Sequence, residues 1–462
     1  MKAAAEGLKK ASGKSTAVLG SPRLTNEALY LLQKIGRAAL GTNNLCGPGI
    51  GGELDTAARA FGFNASTASI DDIRKADLII AALPDMETAY PSLAAEIRGA
   101  ALKGAKLQVH SPVPTGLDKC ASGILRAGFP GLYGVYLDWL EAALEKNADH
   151  KIKGLKELKA SISRRKTAEL PAGIDAAEAA RMRAELLTAK RPLIVADPAL
   201  IPASELAALA GLLILIGKPH GLLLPRAGSN SQGAIDLGLD GAWLPGHSPV
   251  SDKTARAALE KLWGCKLPSW DGQSGPGIID LARTGGLKSL LSWGDTGLDG
   301  LDLKGVFAVS GEWAVPSKQH PASVVFPAAL FTEDTGTLTS FDRKVRQAGN
   351  WRPEGAPQAN WTVLSDLASH LGLKNCGGLP ALRREIGAAS GLYSELGWEK
   401  WEGGGHCAAW TRELSPALLA PELEDSRGQA RLLAYLSEGD MLDKFIRARL
   451  GKVAAKKKNL SR

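Results

Sequence analysis

Short, continuously apolar runs alternate with longer amphipathic stretches along this chain, a rhythm that predicts an open, doubly wound α/β architecture. Thr16–Gly20 (TAVLG) reads as a buried strand. Behind Thr25, a residue able to cap a helix, Leu29, Leu32, Ile35 and Ala39 recur at helical spacing. A glycine-rich loop and a helix over 53–60 come next. Residues 76–81 form another buried strand, 92–102 a helix and Lys106–His110 the strand after it. Residues 137–190 are charged and helical. A strand follows at 191–197, then a helix or helix–strand pair at 204–216, and a short strand at 222–225 that enters a loop. After Asn230 the chain turns to Gly-, Trp- and Pro-rich loops, with strands at 287–293, 305–310 and 323–326 and a helix at 361–371. Residues 375–462 read as mostly helical, with 431–435 the only strand candidate. No internal repeat is visible.

A chain of 462 residues has room for two to four domains with sizeable cores. The 53 Gly and 25 Pro are spread along it, which fits many tight βα and αβ connections. The net charge of +8 is concentrated partly at Lys2, Lys9, Lys10 and Lys14 and in the tail 452–462. Such a tail is either solvated or docked on an acidic partner. Nothing resembles an aromatic-basic platform, a finger or a basic helix, so nucleic acid is not an expected partner. Cys46, Cys120, Cys265, Cys376 and Cys407 are far apart and never in C-x-x-C spacing. That pattern points to a reducing compartment and away from an iron–sulfur or zinc site built by this chain alone. The first twelve residues are polar and show no signal peptide. The most apolar run, 201–224, is broken by Pro202, Ser204, Glu205, Lys218, Pro219 and His220, too polar for a membrane span. The expectation is therefore a cytoplasmic protein that meets the inner face of a membrane only through partner subunits.

Several motifs suggest chemistry and fall short of it. Gly13-Lys14-Ser15 looks like the end of a P-loop, yet Gly7 is one residue too far away and a strand follows where a helix is needed. Gly47, Gly49 and Gly52 match G-x-G-x-x-G, with Asp71 and Asp72 at about the dinucleotide spacing. The pattern follows a helix and the loop Gly41-Thr42-Asn43-Asn44 rather than a strand, so a glycine-lined connection between domains is the better reading. His110, His150, His220, His247, His320, His370 and His406 show no ligand spacing apart from the adjacent pair His406-Cys407, which is poor chelate geometry. No G-x-S-x-G is present.

Four blocks carry a family resemblance. The first is Ser21-Pro22-Arg23-Leu24-Thr25-Asn26-Glu27, with Leu32-Gln33-Lys34 and Gly41-Thr42-Asn43-Asn44. The second is Ser69-Ile70-Asp71-Asp72-Ile73, Ala76-Asp77, Pro91 and Lys103-Gly104-Ala105-Lys106-Leu107. The third is Ser229-Asn230-Ser231-Gln232-Gly233-Ala234, with Asp236, Gly238 and Leu244-Pro245-Gly246. The last is Phe326-Pro327-Ala328, Glu333, Gly336-Thr337 and Arg343. In this order and at these distances, residues 15–372 resemble the middle two domains of molybdopterin oxidoreductases of the formate dehydrogenase type. They resemble equally the large G-type subunit of NADH:quinone oxidoreductase. The resemblance implies two doubly wound α/β domains (domain II/III-like) and a helical C-terminal extension. Residues 1–45 plus 229–374 would form the discontinuous domain II, 46–228 domain III, and 375–462 the extension with its basic tail.

The departures decide what the resemblance implies for function. Active members carry a Cys or selenocysteine followed by His after Asn-Asn, the former ligating molybdenum or tungsten. Counting back from Phe61-Gly62 puts Gly49 and Ile50 there. A second alignment, with more gaps, puts Cys46 at the ligand position and Gly47 in place of the His. Arg226, six residues before Gln232, matches an arginine that would hold a formate-like anion. The family's Asp-Pro-Arg cofactor contact reads His110-Ser111-Pro112, and the Asn expected after Gly336-Thr337 reads Ser340. The family's cluster-bearing Cys-rich domain would precede Thr16, and its C-terminal barrel has no counterpart in 375–462.

The resulting expectation is a catalytically inert subunit of a redox complex, in the peripheral arm of a complex I-type NADH:quinone oxidoreductase. It would hold no metal and no cofactor of its own and sit beside iron–sulfur clusters on partner chains. Gly47, Gly49, Gly52, Arg226, Asn230 and Gln232 would line a vestigial cleft. The Trp-rich loops of Trp243, Trp263, Trp270, Trp351 and Trp361 would serve as docking surface or as buried anchors. The alternative is the catalytic fragment of a split formate dehydrogenase, with Cys46 as metal ligand, Arg226 as anion clamp and molybdopterin guanine dinucleotide as cofactor. A third option is an inert pterin-binding or cofactor-insertion protein.

Overall fold

The computed structural model describes residues 1–47, 55–84, 86–127, 131–146, 151–163, 170–171, 173–273, 275–294, 296, 298, 302–316, 320–349, 351, 354–396, 407–409 and 412–419. The chain divides into two compact units. One comprises Met1–Asp55 and Arg226–Glu413; the other comprises Thr56–Pro225 and the described residues from Leu414 on.

The first unit is built on a five-stranded, wholly parallel sheet ordered Val324–Pro327, Phe307–Glu312, Ser289–Trp293, Thr16–Gly20, Leu45–Cys46. Thr16 lies beside Ser289 and Gly20 beside Trp293, while Val18 and Leu19 lie beside Leu45 and Cys46. The central strands are buried along their whole length, as their continuous apolar runs require. The outermost strand alternates between half-buried and exposed residues and ends in Pro327, a residue that belongs at an edge. Counted in chain order the strands run 2-1-3-4-5, which puts the switch in winding direction between Thr16–Gly20 and Ser289–Trp293. The helix Asn26–Lys34 is buried on every residue. It is held from outside by Leu379–Ala389, through Arg383 Nε to Glu27 (2.8 Å) and Lys34 Nζ to Glu385 (2.5 Å). These ion pairs place residues 379–389 within the first unit rather than in a separate extension.

The second unit has its own five-stranded parallel sheet, ordered Gly123–Leu125, Lys106–His110, Leu78–Ala82, Pro192–Ala196, Leu222–Leu223. In chain order this is 3-2-1-4-5, with the switch between Leu78–Ala82 and Pro192–Ala196. The helix Ala203–Leu215 is buried from Ser204 to Leu215, which explains why 201–224 is the most apolar run of the chain. It packs with Tyr136, Trp139, Leu140 and Phe61 in one core. A late segment closes this core. Ser415 N–H donates to Phe61 O (3.1 Å), Ala417 N–H to Ala60 O (2.9 Å) and Leu418 N–H to Lys153 O (2.7 Å). Gly154 permits the approach, because at φ +85° a Cβ there would stand 2.0 Å from Leu418 O.

Several elements depart from the pattern-based expectation. The Gly/Trp/Pro-rich region after Asn230 holds the helices Ser231–Asp236, Lys253–Trp263 and Gly275–Arg283. The second of these is capped by Asp252, whose carboxylate accepts from Thr254 N–H (2.8 Å) and Ala255 N–H (3.1 Å), and it stops at left-handed Gly264. Short strands that apolar runs do not announce lie at Gly123–Leu125, at Trp243–Leu244 with Ser248–Pro249, and at Thr337–Thr339 with Lys344–Gln347 and Cys407–Ala409. Residues 204–216 resolve into a helix. The polar first residues form the helix Lys2–Leu8, with Ala4, Ala5, Gly7 and Leu8 buried. The strand candidate 431–435 and the basic tail 452–462 lie outside the described residues. Among the described residues no helix is long and apolar enough to cross a membrane.

Candidate functional site

The Gly41-Thr42-Asn43-Asn44 loop leads into the first sheet's edge strand Leu45–Cys46 and is fixed by hydrogen bonds. Thr42 Oγ1 donates to Thr16 O (2.7 Å), and Asn44 Nδ2 donates to Lys14 O and Thr16 O (3.0 Å each). Asn43 Nδ2 donates to Pro268 O (3.1 Å) and Trp270 O (2.7 Å). Asn43 Oδ1 accepts from Arg37 Nε (3.0 Å), the first of five bonds made by a wholly buried guanidinium. The others go to Gln33 Oε1 (3.0 Å), Gly238 O (2.6 Å), Asp240 O (2.7 Å) and Trp243 O (2.7 Å). Burial pulls the Arg37 pKa down to about 9, with Asp240 opposing.

The residues that carry the resemblance meet a little further along. Asn26 Nδ2 donates to Thr337 Oγ1 and Thr339 Oγ1 at 3.0 Å each, and Thr339 N–H donates to Asn230 Oδ1 at 2.6 Å. Asn230 Nδ2 donates to Leu24 O (2.7 Å). Gln232 Nε2 and the His247 ring meet Asp236 Oδ1 at 2.7 and 2.6 Å, and Tyr393 donates to Asp236 Oδ2 at 3.0 Å. Burial, with Asp236 beside it, pushes the Tyr393 phenol well above its ordinary range. Gly233 and Gly336 are needed here. A Cβ on the first would stand 2.0 Å from Asn26 Oδ1, and one on the second 2.5 Å from Glu27 Oε2. Asn230 and Gln232, expected in a vestigial cleft, thus sit in a buried polar network that locks the first unit together.

Cys46 ends the edge strand Leu45–Cys46, is 3% exposed, and packs against Ala17, Leu19, Ile278, Leu287 and Leu290. Its Sγ donates to Gly47 O at 3.3 Å. Arg226 is buried at the start of the first unit's second segment. Gly49, Ile50 and Gly52 lie outside the described residues. Gly13–Ser15 is a 3₁₀ turn leading into the first strand. Asp72, at dinucleotide spacing, closes a capping box with Ser69, accepting its N–H (2.9 Å) and Oγ–H (2.7 Å). Among the expected Trp anchors, Trp263 donates to Tyr30 Oη (2.8 Å), Trp361 donates to Thr335 Oγ1 (2.9 Å), and Trp270 stacks under Lys14; Trp351 is 71% exposed. Among the described residues no group of three or more His, Cys, Asp or Glu is placed to hold a metal ion.

A cleft lies where the resemblance placed the family's cofactor contact, at His110-Ser111-Pro112. It opens in the second unit, beyond the C-terminal ends of its strands and at the switch in winding direction, and spans about 520 Å³ counted out into open solvent. Leu83 and Pro84 follow one strand, His110 ends another with Ser111 and Pro112 after it, and Leu200, Ile201 and Pro202 lead into the helix that carries Glu205. Among the described lining residues the wall is apolar apart from His110, Ser111, Tyr136 and Glu205. His110 Nδ1 meets Tyr136 Oη at 2.9 Å, and the rings of Tyr136 and Trp139 fix the imidazole from two sides. Burial lowers the His110 pKa to about 3. Glu205 Oε1 accepts Leu132 N–H at 2.9 Å, and the Tyr133 N–H also bonds this carboxyl. Burial nonetheless raises Glu205 to about 8. Gly131 makes room for it: at φ +88°, a Cβ would stand 2.1 Å from Glu205 Oε1. Asp197, at the same strand ends, accepts from Tyr90 Oη (2.5 Å) and Ala199 N–H (2.8 Å).

No protein-family model matches the chain. A probable oxidoreductase of Bacillus subtilis, YjgC, is 27% identical over 86% of this chain and 44% of its own length. A second G-type subunit of the NADH-quinone oxidoreductase of Rhizobium meliloti is 27% identical over 78% of this chain and 44% of its own length. The chain therefore spans about half the length of the curated relatives it matches. Among solved structures, the acetylene hydratase of Pelobacter acetylenicus superposes with a TM-score of 0.60 at 16% identity, over 89% of this chain and 63% of that one. The fold is of the molybdopterin-oxidoreductase type. Its curated relatives are molybdopterin-type oxidoreductases, subunits of redox complexes among them.

Proposed function

We propose that this chain is a non-catalytic, molybdopterin-oxidoreductase-like subunit of a multi-subunit redox complex. Its place is in the peripheral arm of a complex I-type NADH:quinone oxidoreductase, beside iron–sulfur subunits on other chains. The carrying observation is the use to which the family-like residues are put. Asn26, Asn43, Asn44, Asn230 and Gln232 hydrogen-bond their own unit, and Cys46 packs in an aliphatic core. A sulfur in that setting is a small hydrophobe rather than an exposed thiolate ligand.

Molybdopterin guanine dinucleotide does not fit the second unit's cleft. The cofactor carries a diphosphate, and no Lys or Arg stands among the described residues that line the cleft. The Leu132 and Tyr133 N–H groups, at the start of the helix Tyr133–Lys146 where an anion would be received, are already bonded to Glu205. A buried carboxyl at that place repels an incoming phosphate whenever it ionises.

Purification of the tagged full chain from its native source tests the reading. The expected result is co-purification with iron–sulfur subunits, and no formate-dependent dye reduction that responds to Cys46→Ala. Formate-dependent dye reduction abolished by Cys46→Ala, with folding retained, would establish the split formate dehydrogenase instead.

A further inference from the structure

We propose that the second unit's switch-point cleft binds a small, uncharged ligand with a flat apolar body and one neutral hydrogen-bonding group, gripped between the Glu205 carboxyl and the His110 imidazole. The inference concerns this cleft alone and does not rest on the subunit reading.

Three observations converge on it. The first is an unanswered polar atom. His110 is 3% exposed, and its Nε2 is buried with no hydrogen-bond partner among the described residues. Its other nitrogen is held by Tyr136, so the ring does not turn to seek one. His110 is a lining residue of the cleft, and this buried, unpaired nitrogen is one that a ligand atom drawing the wall open there would satisfy. It serves as donor or acceptor according to the Tyr136 bond's direction, so it suits an amide or a heteroaromatic edge.

The second is a carboxyl in the same cleft. Glu205 is 7% exposed and lines the same cleft. Its geometry is fixed by the Leu132 N–H and by Gly131, whose missing Cβ leaves the space that Oε1 occupies. Protonated, the group offers one O–H donor beside an acceptor, the complement of a primary amide. The third is the remainder of the wall. Ala82, Leu83, Pro84, Leu132, Ile201 and Pro202 present an apolar surface at the place where sheets of this winding receive ligands. With no cation among the described lining residues, an anion would lose its hydration with nothing in return.

The test uses the full chain and an isosteric pair of probes, 4-fluorobenzamide and 4-fluorobenzoate, followed by fluorine NMR at pH 7. The expected result is saturable broadening of the amide resonance and at least about tenfold weaker binding of the benzoate, as expected for an anion in a cleft without cations. Guanosine diphosphate is expected not to compete. Ile201→Trp, which fills the cleft and leaves both polar groups in place, abolishes amide binding. His110→Phe, which keeps the ring packing and removes the nitrogen, weakens it about tenfold. Circular dichroism melting curves establish that each variant is folded. Benzoate or guanosine diphosphate binding as tightly as the amide would overturn the proposal. So would no saturable amide binding, or amide binding unchanged in a folded Ile201→Trp variant.

Discussion

Removing the Arg37 guanidinium should destabilise the first unit severely. Arg37 lies in the wide helical turn Ile35–Ala39, is 0% exposed, and directs its donors to five acceptors. Three of these are backbone carbonyls, of Gly238 and Asp240 in the loop after the helix Ser231–Asp236 and of Trp243 at the start of the next strand. Arg37→Met keeps most of the aliphatic stem and leaves all five oxygens without this donor. At about 1 kcal/mol for each abandoned acceptor, the loss is about 4–6 kcal/mol, allowing for apolar packing by the Met. Arg37→Lys retains the charge and offers three donors without the planar fork, for a loss of about 2–3 kcal/mol. Domain stabilities are typically about 5–15 kcal/mol, so the Met variant should leave the first unit barely folded. The assay is urea denaturation followed by hydrogen exchange of peptides from each unit. Protection should collapse in peptides spanning 16–46 and 231–245 and persist in those spanning 78–82 and 192–215. An Arg37→Met variant within about 1 kcal/mol of the parent in the first unit would refute this account of the network.

Three further outcomes follow from the structure. Glu205, raised to about 8 by burial, contributes stability that is complete below its ordinary pKa of 4.5 and fades as pH climbs through 8, so Glu205→Gln should gain on the parent across that window by a few kcal/mol, and parallel urea midpoints at pH 5 and 8.5 would contradict it. Asp236 receives Gln232, His247 and Tyr393, so Asp236→Ala should destabilise the first unit by about 3 kcal/mol, read from the same denaturation curves. Cys46→Ala removes one buried sulfur from an aliphatic cluster and should cost about 1–2 kcal/mol, with no change in any electron-transfer activity of the assembled complex.

Much of the fold was legible in the sequence because buried parallel strands are written as uninterrupted apolar runs. Leu78–Ala82 and Pro192–Ala196 follow from that rule, while polar residues punctuate Thr16–Gly20, Lys106–His110 and Ser289–Trp293, whose apolar residues are still enough to mark strands. Leu45–Cys46 and Gly123–Leu125 did not, because two or three residues make no pattern. The helix Lys253–Trp263 hid in a loop-rich region, although Asp252 before it and Gly264 after it are start and stop signals that a finer reading would have used.

The candidate site was less legible for a physical reason. Asn230 and Gln232 look like ligand-binding residues in one dimension, and only their partners, Thr339, Leu24 and Asp236, show them holding the fold. The second unit's cleft draws on residues from separate stretches of the chain, and His110 and Glu205 are 95 positions apart. Nothing in local spacing announces that pair. The sequence clues were His110-Ser111-Pro112, at the family's cofactor contact, and Glu205 inside the most apolar run of the chain, where a carboxyl needs a reason to be buried.

The central claim is that this chain handles no metal itself, and elemental analysis of the complex purified with it tests that most directly. The account predicts iron from neighbouring subunits and less than about one tenth of a molybdenum or tungsten atom per copy of this chain. One molybdenum or tungsten atom per copy, lost on Cys46→Ala while the complex stays assembled, would contradict it.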